Sequence, residues 1–272
     1  MSDRWRPRLA RAVAAGRWRE YRELLGAARD TGYAVTSLER WVLSGGGDSE
    51  GPTLVLRHDV DQHPGSALRM AEIEIEAGIK STWYFRWRTA HPAVIGDLRD
   101  AGFEIGLHYE TLSRRALADR TKVVLNGDRR IEECRDTLRR EIATFAELFG
   151  PIRSICPHGD SRVAAVSNAV LLRGQDPRGF GIVFDGHEAV RKRTIGHWLT
   201  DRSKAAGGWD RGLEPLTLLR RRVTPILCVV HPNNWAGGPG LLTERCLRRA
   251  FPDPISSRFS SPVRGRADVP PI

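Results

Sequence analysis

Between residues 53 and 231 short apolar runs and amphipathic runs take turns along the chain. "TLVLRHD" reads as a strand, and "PGSALRMAEIEIEAG" as a helix opened by Pro64 and closed by Gly78. "IKSTWYFRW", "FEIGLHYE" and "IRSICPHG" are further strands, separated by a helix in "HPAVIGDLRDAG" and a long helical region ending near Phe149. "AAVSNAVLLRG" is expected to be helical, followed by "GFGIVFDG", "TIGHWLTD", "PILCVVHP" and a last helix, "GLLTERCLRRAF". Strands that alternate with helices build βαβ units, and these close only into a mostly parallel sheet or barrel.

Before the first strong strand, "RWREYRELLGAARDTGYAV" places Tyr21, Leu24, Leu25 and Ala28 on one helical stripe that Gly32 stops. Residues 1–50 are therefore expected to be an appended helical extension, with "SGGGDSEGP" as a loop into a domain spanning 51–251. The tail 252–272 is rich in Pro, Ser and Arg and is expected to be loose. With 272 residues and 40% hydrophobic content the chain can bury one sizeable core.

No apolar run approaches the roughly 18 residues that would span a bilayer, so no membrane partner is expected. "MSDRWRPRLARAV" lacks an apolar segment after its basic residues, and the four cysteines form no C-x-x-C pair. A cytoplasmic location with reduced thiols is the expectation. The formal net charge of +10 is scattered over "RWRPRLAR", "RKR" and "RRRV" without a nucleic-acid-reading element. It argues for a solvated surface and long-range attraction of an anionic small molecule, not for specific nucleic-acid binding.

The strands end in chemistry. Their C-terminal ends, where parallel α/β folds collect their sites, read "RHDVD", "GLHYE", "CPHGD", "WLTD" and "VVHP". Side chains alternate with period two, so Asp59 and Asp61 project to one side, as do His108 and Glu110. Single residues of this kind have ordinary roles: Asp61 can cap the following helix, His108 can be a hydrogen-bonded core residue, and His58 points away from Asp59. Trp83, Tyr84 and Phe85 read as core. Five separate endings in Asp, Glu or His instead converge on a metal or acid–base centre.

The order "LRHDVDQHP", "AGIKSTWYF", "EIGLHYE", "CPHG", "WLTD", "VVHPNNW" resembles the polysaccharide deacetylase family over residues 52 to 236. The resemblance implies an irregular (β/α) barrel that removes acetyl groups with a divalent metal, most often zinc, with Co, Ni, Mn or Fe as alternatives. Against the motif T-F-D-D-G, Asp59 corresponds to the catalytic base and Asp61 to a metal ligand. Against H-[ST]-x-x-H, His108 is kept and Leu112 replaces the second His. Against R-x-P-Y-G, "ICPHG" has Ile155 for Arg and His158 for Tyr, so His158 is expected to supply the missing imidazole, with Glu110 as the alternative. Trp198 and Asp201 correspond to a Trp and an Asp that tunes the base, and His231 to the general acid; Trp198 and Trp235 are expected to contact substrate.

The implied reaction is hydrolysis of an N-acylated sugar or sugar-containing small molecule by water activated at the metal, as part of carbohydrate metabolism. The alternatives are a metal amidohydrolase acting on a non-sugar C–N amide bond and a non-catalytic barrel.

Overall fold

The computed structural model describes residues 16–46, 51–119, 128–160, 163, 167–193, 195–201, 208–210 and 214–237. The last helix expected from sequence and the tail 252–272 lie outside them. Among the described residues no helix is long and apolar enough to cross a membrane.

Eight strands form one sheet: β1 (Ala34–Ser37), β2 (Thr53–Val60), β3 (Thr82–Phe85), β4 (Glu104–Tyr109), β5 (Ser154–Pro157), β6 (Phe184–Asp185), β7 (His197–Thr200) and β8 (Ile226–Val230). Their order is β6-β5-β4-β3-β2-β8-β7, with β1 also paired to β2, and every pairing is parallel. α1 (Trp18–Asp30) precedes β1, and the crossovers that parallel pairing needs put α2 (Leu38–Leu43), α3 (Gly65–Glu76), α4 (Pro92–Asp100), α5 (Thr111–Ala118), α6 (Asp128–Phe149), α7 (Gly186–Arg191) and α8 (Pro215–Arg220) between strands. The sheet curls into an incomplete barrel with no pairing between β6 and β7.

β2 is buried along its whole length, and its two faces enter different cores. Leu54, Leu56 and Val60 join the large cluster formed with the outer helices. Val55 faces Tyr84, Cys156, Leu227 and Val229 across the concave side, together with Leu38, Trp41 and Val42 of α2 and Ala189 and Val190 of α7. Two short helices thus fill the barrel from within. Tyr84 lies across this interior, where its hydroxyl meets Ser154 Oγ at 2.8 Å. Two glycines make room for it: a Cβ at Gly106 would lie 2.5 Å from the Tyr84 ring, and one at Gly186 2.7 Å from its hydroxyl.

The region expected to be an appended extension does more than add a helix. β1 pairs with Thr53–Leu56 of β2, so residues 34–37 are part of the sheet itself. Tyr21, Leu24, Leu25 and Ala28 of α1 are buried in the large cluster, as their spacing implied. Gly32 ends that helix with φ +78, a left-handed conformation that costs glycine nothing. Of the helix expected over "AAVSNAVLLRG", the described residues 167–174 hold a 3-10 turn, Asn168–Leu171, where Asn168 spends its side chain on other backbone groups.

Candidate metal centre

Parallel strands that all end on one side bring their final side chains together. Asp59 is the last inward residue of β2, and Asp61 follows just beyond the strand. β2, β3, β4 and β5 are neighbours, and Cys156 lies opposite His108, so His158 stands two residues further along on the same face.

Asp61 sits at the centre of three imidazoles. Its Oδ1 is 3.6 Å from His108 Nε2, and its Oδ2 is 3.5 Å from His158 Nε2 and 3.8 Å from His231 Nε2. The donor atoms of Asp61, His108 and His158 all lie within 4.8 Å of one another. Asp61 Oδ1 is buried with no hydrogen-bond partner, a costly arrangement unless something positive takes the lone pair. Burial raises the Asp61 carboxyl, but His158, His108 and His231 outweigh it and hold the group well below the usual carboxylate range. The His108 Nδ1–H donates to the Cys156 carbonyl at 2.9 Å, which leaves the Nε2 lone pair facing the centre. Burial lowers His108 to about 4, so it is neutral at pH 7. One ionised carboxylate and two imidazoles fit a divalent cation such as zinc.

Glu110, the alternative ligand, is otherwise engaged. Its carboxylate pairs with the buried Arg86 guanidinium and stands 3.5 Å from His158 Nδ1. It also belongs to a second group of possible donors with His158 and Asp160. Burial raises the Glu110 carboxyl, but Arg86 outweighs burial and keeps it ionised. Leu112 is buried on α5. The His158 loop is fastened to that helix by Asn168, whose amide donates to the His158 carbonyl at 2.7 Å and whose oxygen accepts from the backbone N–H of Leu112 and Ser113.

Asp59 has a different environment. Arg57, two residues earlier on the same face of β2, grips it with two hydrogen bonds, Nε to Oδ1 at 2.8 Å and Nη2 to Oδ2 at 2.6 Å. Both side chains are about 5% exposed, so the pair is a buried, bidentate ion pair. Burial raises the carboxyl, yet Arg57, His108 and His231 bring it down to about 2. Asp59 Oδ2 also lies 3.5 Å from His108 Nε2, beside the donor set. Sequence reasoning passed over Arg57, although the period-two rule that paired Asp59 with Asp61 also places Arg57 beside Asp59.

His231 closes the ring from β8. Its Nδ1 meets Asp201 Oδ1 at 2.6 Å, and its backbone N–H donates to both Asp201 oxygens at 3.0 Å. Burial lowers the His231 imidazole, but Asp201 outweighs that and raises it to about 9, so it is protonated at neutral pH. Asp201 therefore serves the imidazole, where sequence had it tuning the Asp59 carboxylate. His58 turns outward to Glu74, at 2.5 Å, as alternation requires.

The two tryptophans expected at the substrate lie elsewhere. Trp198 is level with Leu227 and Val55 in the sheet, two layers below Asp59, or ~13 Å at the usual rise per residue. It is 39% exposed and packs against His187. Trp235 is 2% exposed, and its indole N–H donates to Asp201 Oδ2 at 2.6 Å, so it offers no open ring face.

No family model matches this chain, and no curated protein does. Among solved structures, a CE4 family pseudoenzyme from Bacillus anthracis overlaps with TM-score 0.41 at 14% identity, over 77% of this chain and 61% of that one. A mutant of that pseudoenzyme with restored enzymatic activity gives TM-score 0.44 at 13% identity, over 77% and 63%. A family 4 carbohydrate esterase from Streptomyces lividans in complex with acetate gives TM-score 0.42 at 13% identity, over 72% and 89%. The chain spans less than two thirds of the length of the Bacillus anthracis proteins. Overlap at this level establishes neither a family nor a chemistry for this chain.

Proposed function

We propose that this protein is a metal-dependent hydrolase that removes an acetyl or related acyl group from an N-acylated sugar or sugar-containing small molecule. The observation that carries the reading is a carboxylate and an imidazole both placed against one donor set. Asp59 Oδ2 lies 3.5 Å from His108 Nε2 and is able to accept a proton, and His231 Nε2 lies 3.8 Å from Asp61 Oδ2 with Asp201 behind its ring and is able to give one. Asp61, His108 and His158 would hold the cation, with zinc the first choice. When bound, the cation supplies a Lewis acid that polarises a carbonyl and makes water acidic.

Arg57 keeps the Asp59 carboxylate charged and fixed in direction, so that it takes the proton of an attacking water. His231 delivers its Nε2 proton to the departing amine, while Asp201 holds the ring by Nδ1 and compensates its charge. Amide cleavage needs such a donor because a free amide anion is a poor leaving group. The excess positive charge of the chain favours an anionic substrate such as a nucleotide-linked sugar. The buried, free thiols of Cys134, Cys156 and Cys228 suit the reducing cytoplasm proposed for it.

The test is a panel of N-acetylated sugars, nucleotide-linked N-acetyl sugars and simple or cyclic amides, assayed after chelation and after reloading with zinc. Turnover of an N-acetyl sugar that disappears on chelation and returns with metal is the expected result. Cleavage confined to the non-sugar amides would make the protein an amidohydrolase of another class. No cleavage by fully loaded protein would make it a binding barrel.

A further inference from the structure

The proton donor proposed above is held by residues far from it in sequence. Trp235 lies four residues beyond His231 and is buried, with its indole N–H fixed on Asp201 Oδ2 at 2.6 Å. The other oxygen of the same carboxylate takes His231 Nδ1. Trp235 is in turn enclosed by the N-terminal helix. The backbone N–H of Arg17 donates to the Trp235 carbonyl at 2.8 Å, and the Arg17 guanidinium lies 4.8 Å from the centre of its ring. The Tyr21 ring meets it edge-on at 5.3 Å, and Trp209 does so at 6.0 Å. Tyr21 is itself anchored by its hydroxyl to the buried Glu74.

We infer that Trp235 is a positioning residue for His231, acting through Asp201, and that α1 belongs to the site because it holds Trp235 in place. The inference rests on the reading of His231 as proton donor. A carboxylate that accepts on both oxygens cannot swing about its own axis. Asp201 is only 5% exposed, so water does not replace a lost donor there. Without the indole N–H the carboxylate is held by His231 itself, through Nδ1 on Oδ1 at 2.6 Å and the backbone N–H at 3.0 Å, and it loses the contact outside His231 that fixes its direction, so imidazole and carboxylate can shift together. The aim of His231 Nε2 toward the centre then broadens, and a misaimed donor slows proton delivery without changing what the pocket binds.

Trp235→Phe removes the N–H and keeps a ring between Arg17 and Tyr21. Two readouts apply. In proton NMR, the His231 Nδ1–H of the short bond to Asp201 gives a far-downfield line, assigned by its loss in His231→Gln. Trp235→Phe is expected to move that line upfield by at least about 1 ppm or to broaden it away. In kinetics with the metal-loaded protein, kcat is expected to fall about tenfold, with KM and bound metal unchanged. Arg17→Met should move both readouts in the same direction by less. An unchanged NMR line in Trp235→Phe overturns the inference, as does a raised KM at constant kcat, which would make the indole a substrate contact. No change in Arg17→Met removes Arg17, the residue that opens α1, from the site. If the wild-type protein cleaves nothing, the NMR line still decides the role of Trp235, and only the hydrolase reading fails.

Discussion

Asp59→Asn lowers kcat by about 10³-fold while bound metal is unchanged, because the amide cannot accept the proton that a carboxylate takes. The same change also weakens the fold. Arg57 is buried, and among the described residues Asp59 is the one carboxylate that meets its charge, through two hydrogen bonds, so neutralising that partner strands a cation in the barrel. Breaking a buried pair from one side costs about 3 kcal/mol. The folded carboxyl ionises at about 2, below its unfolded value of roughly 3.9, so the pair contributes fully above about pH 4 and is lost only as pH falls through 2. The deficit of the Asn variant is therefore constant between about pH 5 and 8. Adding Arg57→Met to Asp59→Asn removes the stranded charge and recovers most of the stability, measured by urea unfolding, and none of the activity. Near-normal turnover in Asp59→Asn would remove this residue from the mechanism.

Asp61→Asn acts on the cation instead. The carboxylate is the only anion among the three proposed ligands, and three imidazole Nε2 atoms crowd it. Losing an orienting partner outside the ligand set already costs metal sites about 10–100-fold in affinity. Losing the anionic ligand itself should exceed that. A cation that binds only the folded chain stabilises it by about 4 kcal/mol at a thousand times its Kd. Zinc should accordingly raise the Tm of the wild-type protein and leave that of Asp61→Asn where it was. Equal zinc-induced shifts in the two proteins would place the cation elsewhere.

The strand ends were legible because polar residues interrupting a buried strand carry a strong signal, and period two then fixes which of them face together. That rule grouped Asp59 with Asp61 and sent His58 outward, where it meets Glu74. The same rule places Arg57 beside Asp59. The position of His158 was harder to reach. It depends on the register that sets Cys156 opposite His108, and register is a property of two distant segments that no local pattern encodes. β1 was missed for a related reason: four residues give too little alternation, and their strand character comes from lying against Thr53–Leu56. The two tryptophans show the opposite error. The resemblance implied a Trp beside Asp201 at the substrate, but Trp198 falls three residues short of Asp201, and Trp235 is buried in the core.

The central claim is that one divalent cation is held between β2, β4 and β5 by Asp61, His108 and His158. Crystals of the zinc-loaded protein, measured on both sides of the zinc absorption edge, test it directly. The account predicts a single anomalous peak within bonding distance of one Asp61 oxygen and of the Nε2 atoms of His108 and His158. A zinc-loaded crystal with no peak there, or with the peak between Glu110 and Asp160, would contradict it.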